Sequence, residues 1–513
     1  MTWRPRARAA APLALALALL AAGCEETPDA REAPGARERP AAAPPSSASA
    51  PRVCAEPAPR PERAPAGAVP VDPAVVGDLA ARTRSSPPGT TFWLRPGRHR
   101  LAPDRYAQVV PKKGNSYLGA PGAVLDGGKT NQYAFGGAAP DVTLRHLTVQ
   151  NFAAPHDEGV VNHDSADGWV IEHATIRRNS GAGLMAGARQ QVRASCLSGN
   201  GQYGMNAYKA GDTIRGLVVE GNEITGNNTG DWERRRPGCG CTGGVKFWAV
   251  DGADIRGNWV HDNRGPGLWA DNNNNDFRIE NNLLEANDGA ALIYETSYNA
   301  VIRNNTIRRN TWAEGRKYAA RGDDFPYASL YVSESGGEPR IPARTDRIEI
   351  YRNVLENNWS GITLWENADR FCNSPANTST GECTLLVPDT GRCAQPAIGT
   401  PPLYDDCRWK TKRVDIHDNR FVLDTSVVPC AGACGRMAVL ANYGTYPDWS
   451  PYHGERVAEA IAGAQHNRWH DNTYRGPWRF VVRDPGRALG FAAWRAAPHR
   501  QDEGSTYDPR AGG

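Results

Sequence analysis

The sequence predicts an all-β chain: one long coil of short, stacked, parallel strands, closed by short capping helices and interrupted by a disulfide-stapled insertion. Three observations predict it. A phrase of the form apolar–x–x–Asn–x–apolar–x–x–Asn recurs as "IRGNWVHDN", "IENNLLEAND", "IRNNTIRRN" and "IYRNVLENN", and more loosely as "IEHATIRRN" and "VEGNEITGNN". After a short gap comes a Gly-apolar-x-apolar run such as "GVKFW", "GLWAD" or "GITLW". Gly is abundant (54 residues) and Met rare (4), which favours turns over helices. Alternation marks strands, and the Asn/Gly punctuation marks turns. A unit of about two dozen residues with three short strands cannot bury its own apolar side, so it must stack on its neighbours.

The elements follow in order. Residues 1–24 read as a targeting segment: Arg4, Arg6 and Arg8 give a basic start, "APLALALALLAAG" an apolar centre, and small residues lead into Cys24. The "LAAGC" box resembles a bacterial lipoprotein signal. That resemblance implies cleavage before Cys24, lipidation of its thiol, and an exported protein anchored to the membrane at the cell surface. An ordinary secretory signal with an incidental cysteine is the alternative. No other apolar run approaches the length that spans a bilayer. Residues 25–70, rich in Ala, Pro, Glu and Arg and without periodicity, are expected to form a disordered tether. The coil is expected to fill residues 71–513, with an insertion near 368–410. In "DPAVVGDLAART", Asp72 can cap a helix with Pro73 in its first turn, and "GRALGFAAWRAA" offers a second helix. Both can cover the strand edges that the open ends of a coil expose.

Setting Cys24 aside leaves ten of the eleven cysteines, an even number suited to disulfides in an oxidising compartment. Cys372, Cys383, Cys393 and Cys407 fall in one segment without β pattern and are expected to pair mainly with each other. Cys430 and Cys434 can close a small loop, and Cys239 and Cys241 sit in "GCGCTGG". A metal site is the rival reading, but no histidine lies near these cysteines. The net charge of +3 over 513 residues argues against nucleic acid as a partner.

The repeat resembles that of the right-handed parallel β-helix proteins, the architecture of pectate lyases, polygalacturonases and alginate epimerases, from about Thr91 to Val482. The resemblance implies a fold and no particular activity. The turn asparagines are then expected to stack, each amide hydrogen-bonded to the neighbouring coil.

Aligning the Gly-apolar-x-apolar runs puts alternate residues outside. One outward column reads His163, Gly187, Tyr208, Trp248, Asp271, Glu295, Ser333, Trp365. The parallel column reads Val161, Met185, Asn206, Lys246, Trp269, Ile293, Tyr331, Thr363. Tyr294 is left pointing inward, where its hydroxyl needs a partner. The insertions "TGDWERRRPGCGCTGG" and "TWAEGRKYAARGDDFPYA" enter on one edge of this face, and the cysteine-rich segment leaves from the other, so the face is expected to be a walled groove.

Exposed rings in a row call for a cover, and sugar faces suit them. Tyr208, Trp248, Trp269, Tyr331, Trp365, Asn206 and His163 are therefore the expected contacts to a polysaccharide. Asp271, Glu295 and Lys246 are the candidate reacting groups. Carboxyls about 5 Å apart suit a retaining glycosidase, and like charges at that range raise one pKa. The same two acids with the Asn272–Asn275 oxygens can instead offer calcium hard ligands. Lys246 or His163 would then take a proton from a uronate, giving a lyase or epimerase. Residues 155–157 read "PHD", a fragment of an alginate epimerase motif, but Ala154 stands where that motif has an acid. A non-catalytic glycan-binding or adhesion protein, which needs the rings and not the acids, is the alternative, and a purely structural envelope protein is a third class.

Overall fold

The computed structural model describes residues 52–510, apart from 242, 376–382, 388, 443–447, 449 and 454–458. Cys24, the expected targeting segment and the beginning of the expected tether lie outside the described residues.

The chain is a right-handed parallel β-helix with sheets of 13, 13 and 11 strands. The first runs from Val69–Val71 to Arg468–His470, the second from Gly97–Arg100 to Thr506–Asp508, and the third from Gly159–Val161 to Ala488–Leu489. One coil shows why. The strand Val250–Arg256 buries Ala253 and Ile255, Trp259–His261 buries Val260, and Leu268–Asp271 buries Leu268 and Ala270. At the two corners between them, Gly257 (φ 63°) and Asp262 (φ 51°) take the left-handed turn, and an asparagine follows each. Tyr294 does point inward, and its hydroxyl donates to the Tyr298 carbonyl at 2.6 Å.

Those asparagines form two ladders. One is Asn222, Asn258, Asn282, Asn305, Asn353, Asn419 and Asn472; the other is Asn179, Asn200, Asn227, Asn263, Asn287, Asn310 and Asn358. All are 2 % exposed or less. The Asn258 Oδ1 accepts from both the backbone N–H and the Nδ2 of Asn222, each at 3.0 Å. Its own Nδ2 donates to the Val219 carbonyl at 2.9 Å and to the Asn282 Oδ1 at 2.9 Å. The first ladder ends on the Ser505 hydroxyl and the Asp502 carboxylate.

Three expectations need correction. Asp72 opens a turn, its Oδ1 accepting from the Ala74 N–H at 2.9 Å, and the capping helix is Asp78–Ser85 with Gly77 at its N-cap. The end of the expected tether lies along the coil: Cys54 is disulfide-bonded to Cys196, Arg60 donates to the Thr148 hydroxyl at 2.9 Å, and Val69–Val71 is already a strand. Its composition cannot build a core, but a covalent link needs none. Third, the expected columns slip by one residue at the start, because Val161 pairs with Leu184 and is buried. The other disulfides join Cys239 to Cys241, Cys372 to Cys383, Cys393 to Cys407 and Cys430 to Cys434. The back helix, Phe491–Arg495, buries Trp494, whose indole N–H donates to Asp502 at 2.6 Å.

Asn282→Ala leaves the Asn258 backbone N–H and amide without their acceptor, and should cost about 3 kcal/mol. Asn281→Gly, one residue earlier at an exposed left-handed position (φ 58°), should be nearly neutral. Thermal unfolding followed by circular dichroism checks this: equal shifts in both variants would deny the ladder its role.

Candidate functional site

The outward columns of the third sheet carry the site. Register pairs Asn206 with Lys246, Lys246 with Trp269, Trp269 with Ile293, and Ile293 with Tyr331. In the adjoining column Trp248 pairs with Asp271, Glu295 with Ser333, and Ser333 with Trp365. Over this face lies a cleft of about 1170 Å³, lined by Lys246, Trp248, Trp269, Asp271 and Glu295. Its walls come from the loop around Asp231–Gly240 and from the helix Trp312–Ala320 with the following Tyr327. Arg370 reaches in from the start of the cysteine-rich insertion.

The other expected contacts lie elsewhere. His163 stands beyond its strand with its ring stacked on Tyr133 at 3.7 Å. Asn206, 6 % exposed, donates to the Asp157 carbonyl at 3.0 Å. Tyr208 is 41 % exposed and meets Trp248 edge-on at 6.5 Å, outside the cleft lining. Tyr331 and Trp365 pack with Phe325, at 6.2 and 6.4 Å, into an aromatic cluster of their own.

Inside the cleft the charges alternate. The Lys246 Nζ is 2.9 Å from the Asp271 carboxylate, donates to the Gly240 carbonyl at 2.8 Å, and stands 4.3 Å from the centre of the Trp269 ring. The loop comes this close because residue 240 is glycine: a Cβ there would lie 3.1 Å from both the Lys246 Nζ and the Trp269 ring. The Trp269 indole donates to Glu295 at 2.9 Å, and Arg370 contacts the other oxygen of that carboxylate. Arg370 also lies 3.7 Å from Glu334. Burial works to discharge Lys246, but Asp271 outweighs it and holds the amine above its usual pKa. Arg370 is likewise held charged against burial by Glu295 and Glu334. Glu334 goes the other way: burial pushes its carboxyl up to about 7, against the pull of Arg370. Its Oε1 accepts from the Asn367 N–H at 3.0 Å, and the Ser333 hydroxyl donates to Oε2.

These contacts correct two expectations. Lys246 is a paired cation held charged beside Asp271, not the free amine that proton abstraction calls for. The calcium ligand set is not assembled either. Asp271 and Glu295 face cations, while the amide oxygens of Asn273, Asn274 and Asn275 accept from the Trp409 indole, the Val250 N–H and the Asn299 amide at 3.2, 3.1 and 3.1 Å. The asparagine run closes a corner and holds the insertion, with the Asn273 Nδ2 donating to the Cys383 carbonyl at 2.8 Å. Arg370, Glu334 and the cleft-lining Asp288 went unmarked in the sequence, since none belongs to an alternating run.

A family model described as the right handed beta helix region matches residues 159–341. The A-module of mannuronan C-5 epimerase AlgE4 from Azotobacter vinelandii is similar at 13% identity and a TM-score of 0.39, over 70% of this chain and 93% of that one. The catalytic unit of a thermostable GH87 alpha-1,3-glucanase from Streptomyces thermodiastaticus is similar at 12% identity and a TM-score of 0.43, over 88% and 71%. Tailspike protein 2 of Escherichia coli O157:H7 bacteriophage CAB120 is similar at 9% identity and a TM-score of 0.28, over 54% and 38%. No protein with a curated description matches the sequence. None of these likenesses assigns an activity to the chain.

Glu334 gives a pH test. A carboxyl whose folded pKa is raised keeps its full contribution to stability below the unfolded pKa, near 4.5, and loses it as pH rises through about 7. Glu334→Gln should therefore gain on the wild type between pH 5 and pH 8, by an amount on the order of 3 kcal/mol. Melting curves at both pH values check it; parallel pH profiles would show that Glu334 does not titrate there.

Proposed function

We propose that this protein binds a polysaccharide across the third sheet and cleaves its glycosidic bonds, with Asp271 and Glu295 as the reacting carboxyls. One observation carries the reading: the two acids each follow a paired residue, Ala270 and Tyr294, at the ends of adjacent strands, and line one cleft beside the Trp269 ring. Adjacent strands lie about 4.8 Å apart. That is the range in which one carboxyl attacks and the other protonates the leaving oxygen.

Each acid faces a cation, so proton donation requires the sugar to break up one of the two ion pairs. Lys246 is placed for this, because the Gly240 carbonyl can retain its Nζ while Asp271 is released. A carboxylate that loses its cation away from water favours its protonated form. Elimination or epimerisation is disfavoured because Lys246 is held charged and His163 is outside the cleft. Glycan binding without catalysis is the second reading, favoured by the completeness of the ion pairing. Export and anchoring through a lipid on Cys24 belong to the same proposal; the "LAAGC" box and five disulfides support it. Cys24→Ser should then release the protein from the membrane fraction.

Incubation with a panel of plant, algal and bacterial polysaccharides tests the reaction. New reducing ends without ultraviolet-absorbing products are expected. Absorbing products would show elimination, and retention without cleavage would leave the binding reading. Asp271→Asn and Glu295→Gln should each lower kcat by roughly 10³-fold. Asp271→Asn also strands the buried Lys246 charge, so its melting temperature should fall as well. Rates are therefore compared below the melting point of the variant.

A further inference from the structure

We propose that the glycan chain continues past Asp288 and seats a further sugar in a second pocket, of about 330 Å³, beside the helix Trp312–Ala320. This rests on the polysaccharide reading and extends it to a site at the far end of the cleft. Asp288 and Ala313 line both the cleft and this pocket, so the two are neighbours. The pocket is at the small end of the range for ligand sites, about 300–1,000 Å³, and suits a single ring.

Its chemistry is that of a sugar subsite. Among the described residues the Asp288 carboxylate accepts no hydrogen bond and makes no close ion pair, and the Arg316 guanidinium gives none. Other carboxylates along the cleft are held: Glu314 by Lys317 at 2.6 Å and Asp231 by Arg234 at 3.2 Å, for example. A carboxylate without a hydrogen-bonding partner and the exposed Arg316, whose charge acts on it, therefore share one pocket with Trp312. Sugar hydroxyls, which donate and accept, satisfy both. Burial also keeps the Asp288 carboxyl above its usual pKa, against Arg264 and Lys317, as fits a group awaiting partners.

The place in the coil sets the role. Asp288 lies in the turn between the strands Leu283–Glu285 and Leu292–Glu295, outside the outward columns that carry Asp271 and Glu295. A sugar held there adds to the length of chain that is bound. The structural alternative is that Asp288 only favours the start of the helix, whose Glu314 N–H donates to the Asp288 carbonyl at 3.2 Å.

The test uses the disaccharide and hexasaccharide prepared from whichever polysaccharide of the panel the wild type cleaves or retains. Titration calorimetry gives the gain in affinity from the shorter to the longer. Asp288→Asn and Arg316→Ala should each cut that gain by about tenfold. An unchanged gain in both variants overturns the subsite, and an unchanged gain with a lowered melting temperature assigns Asp288 to the helix instead. If the wild type engages no polysaccharide at all, the functional reading falls first and the subsite with it.

Discussion

The asparagine ladders are the constraint on which the rest depends. A strand pairs its backbone with the coils above and below, and at a corner the first residue still does, as Gly257 does with the Glu280 carbonyl, but the N–H of the second takes a side-chain acceptor. A buried N–H without a partner costs about 1–3 kcal/mol. Asparagine meets the need because a short side chain carries both an acceptor and two donors. Its oxygen takes the backbone N–H of the coil before, and its nitrogen returns to a carbonyl of that same coil, as Asn282 does with Asn258 at 3.0 Å and Ile255 at 2.9 Å. Where the stack changes, a hydroxyl suffices. The third corner uses Asn274, Ser297 and Ser335, with the Asn274 N–H donating to Ser297 at 3.2 Å and the Ser297 N–H to Ser335 at 2.9 Å.

Locked corners lock the register, and register decides what the surface presents. A slip of one residue would turn every side chain to the other face. On the first sheet the outward column alternates Arg145, Glu172, Arg193, Glu220, Arg256, Glu280 and Arg303, so opposite charges meet coil by coil. It then changes to Tyr351, His417 and His470, whose rings stack at 4.9 Å. The same rule on the third sheet sets Lys246, Trp269, Asp271 and Glu295 beside one another. The site is therefore a consequence of the ladder: no loop has to fold correctly to bring these four together.

That is also why so much of it was legible. Period and asparagines gave the coil, the inward and outward residues, and the meeting of Trp248, Trp269, Lys246, Asp271 and Glu295. The reading failed where the ladder stops. Asn179 begins its ladder, and in the coil before it the glycine is out of step: Gly159 lies opposite Ala182 and not Gly183, so an alignment on glycines places Val161 and His163 one residue out. It failed again for groups supplied by loops. Arg370 comes from a segment without period, and nothing in a list of outward residues says that it reaches Glu295. Pairing across elements was equally hidden. Lys246 looked like a free amine until its distance to Asp271 was known, and Tyr331 and Trp365 looked open until Phe325 was found against them.

The two ladder corners differ, and the difference explains where a cleft can be built. Between the first and second sheets the corner is two residues long in every coil from Glu172–Thr175 to His470–Thr473, which leaves no room for an insertion. After the second ladder the chain is less confined. The segment holding Asp231–Gly240 departs just beyond Asn227, and the helix Trp312–Ala320 just beyond Asn310. In both cases the asparagine fixes the coil first, and the chain then leaves and re-enters as a strand in register. Insertions after this corner can thus change length and chemistry while the third sheet stays aligned. Walls made in this way stand over the same columns on successive coils, and one of them, the helix, also bounds the pocket beside Asp288. A groove that runs on from one coil to the next, rather than a closed hole, is what such a construction yields, and an extended polymer is the ligand whose shape matches it.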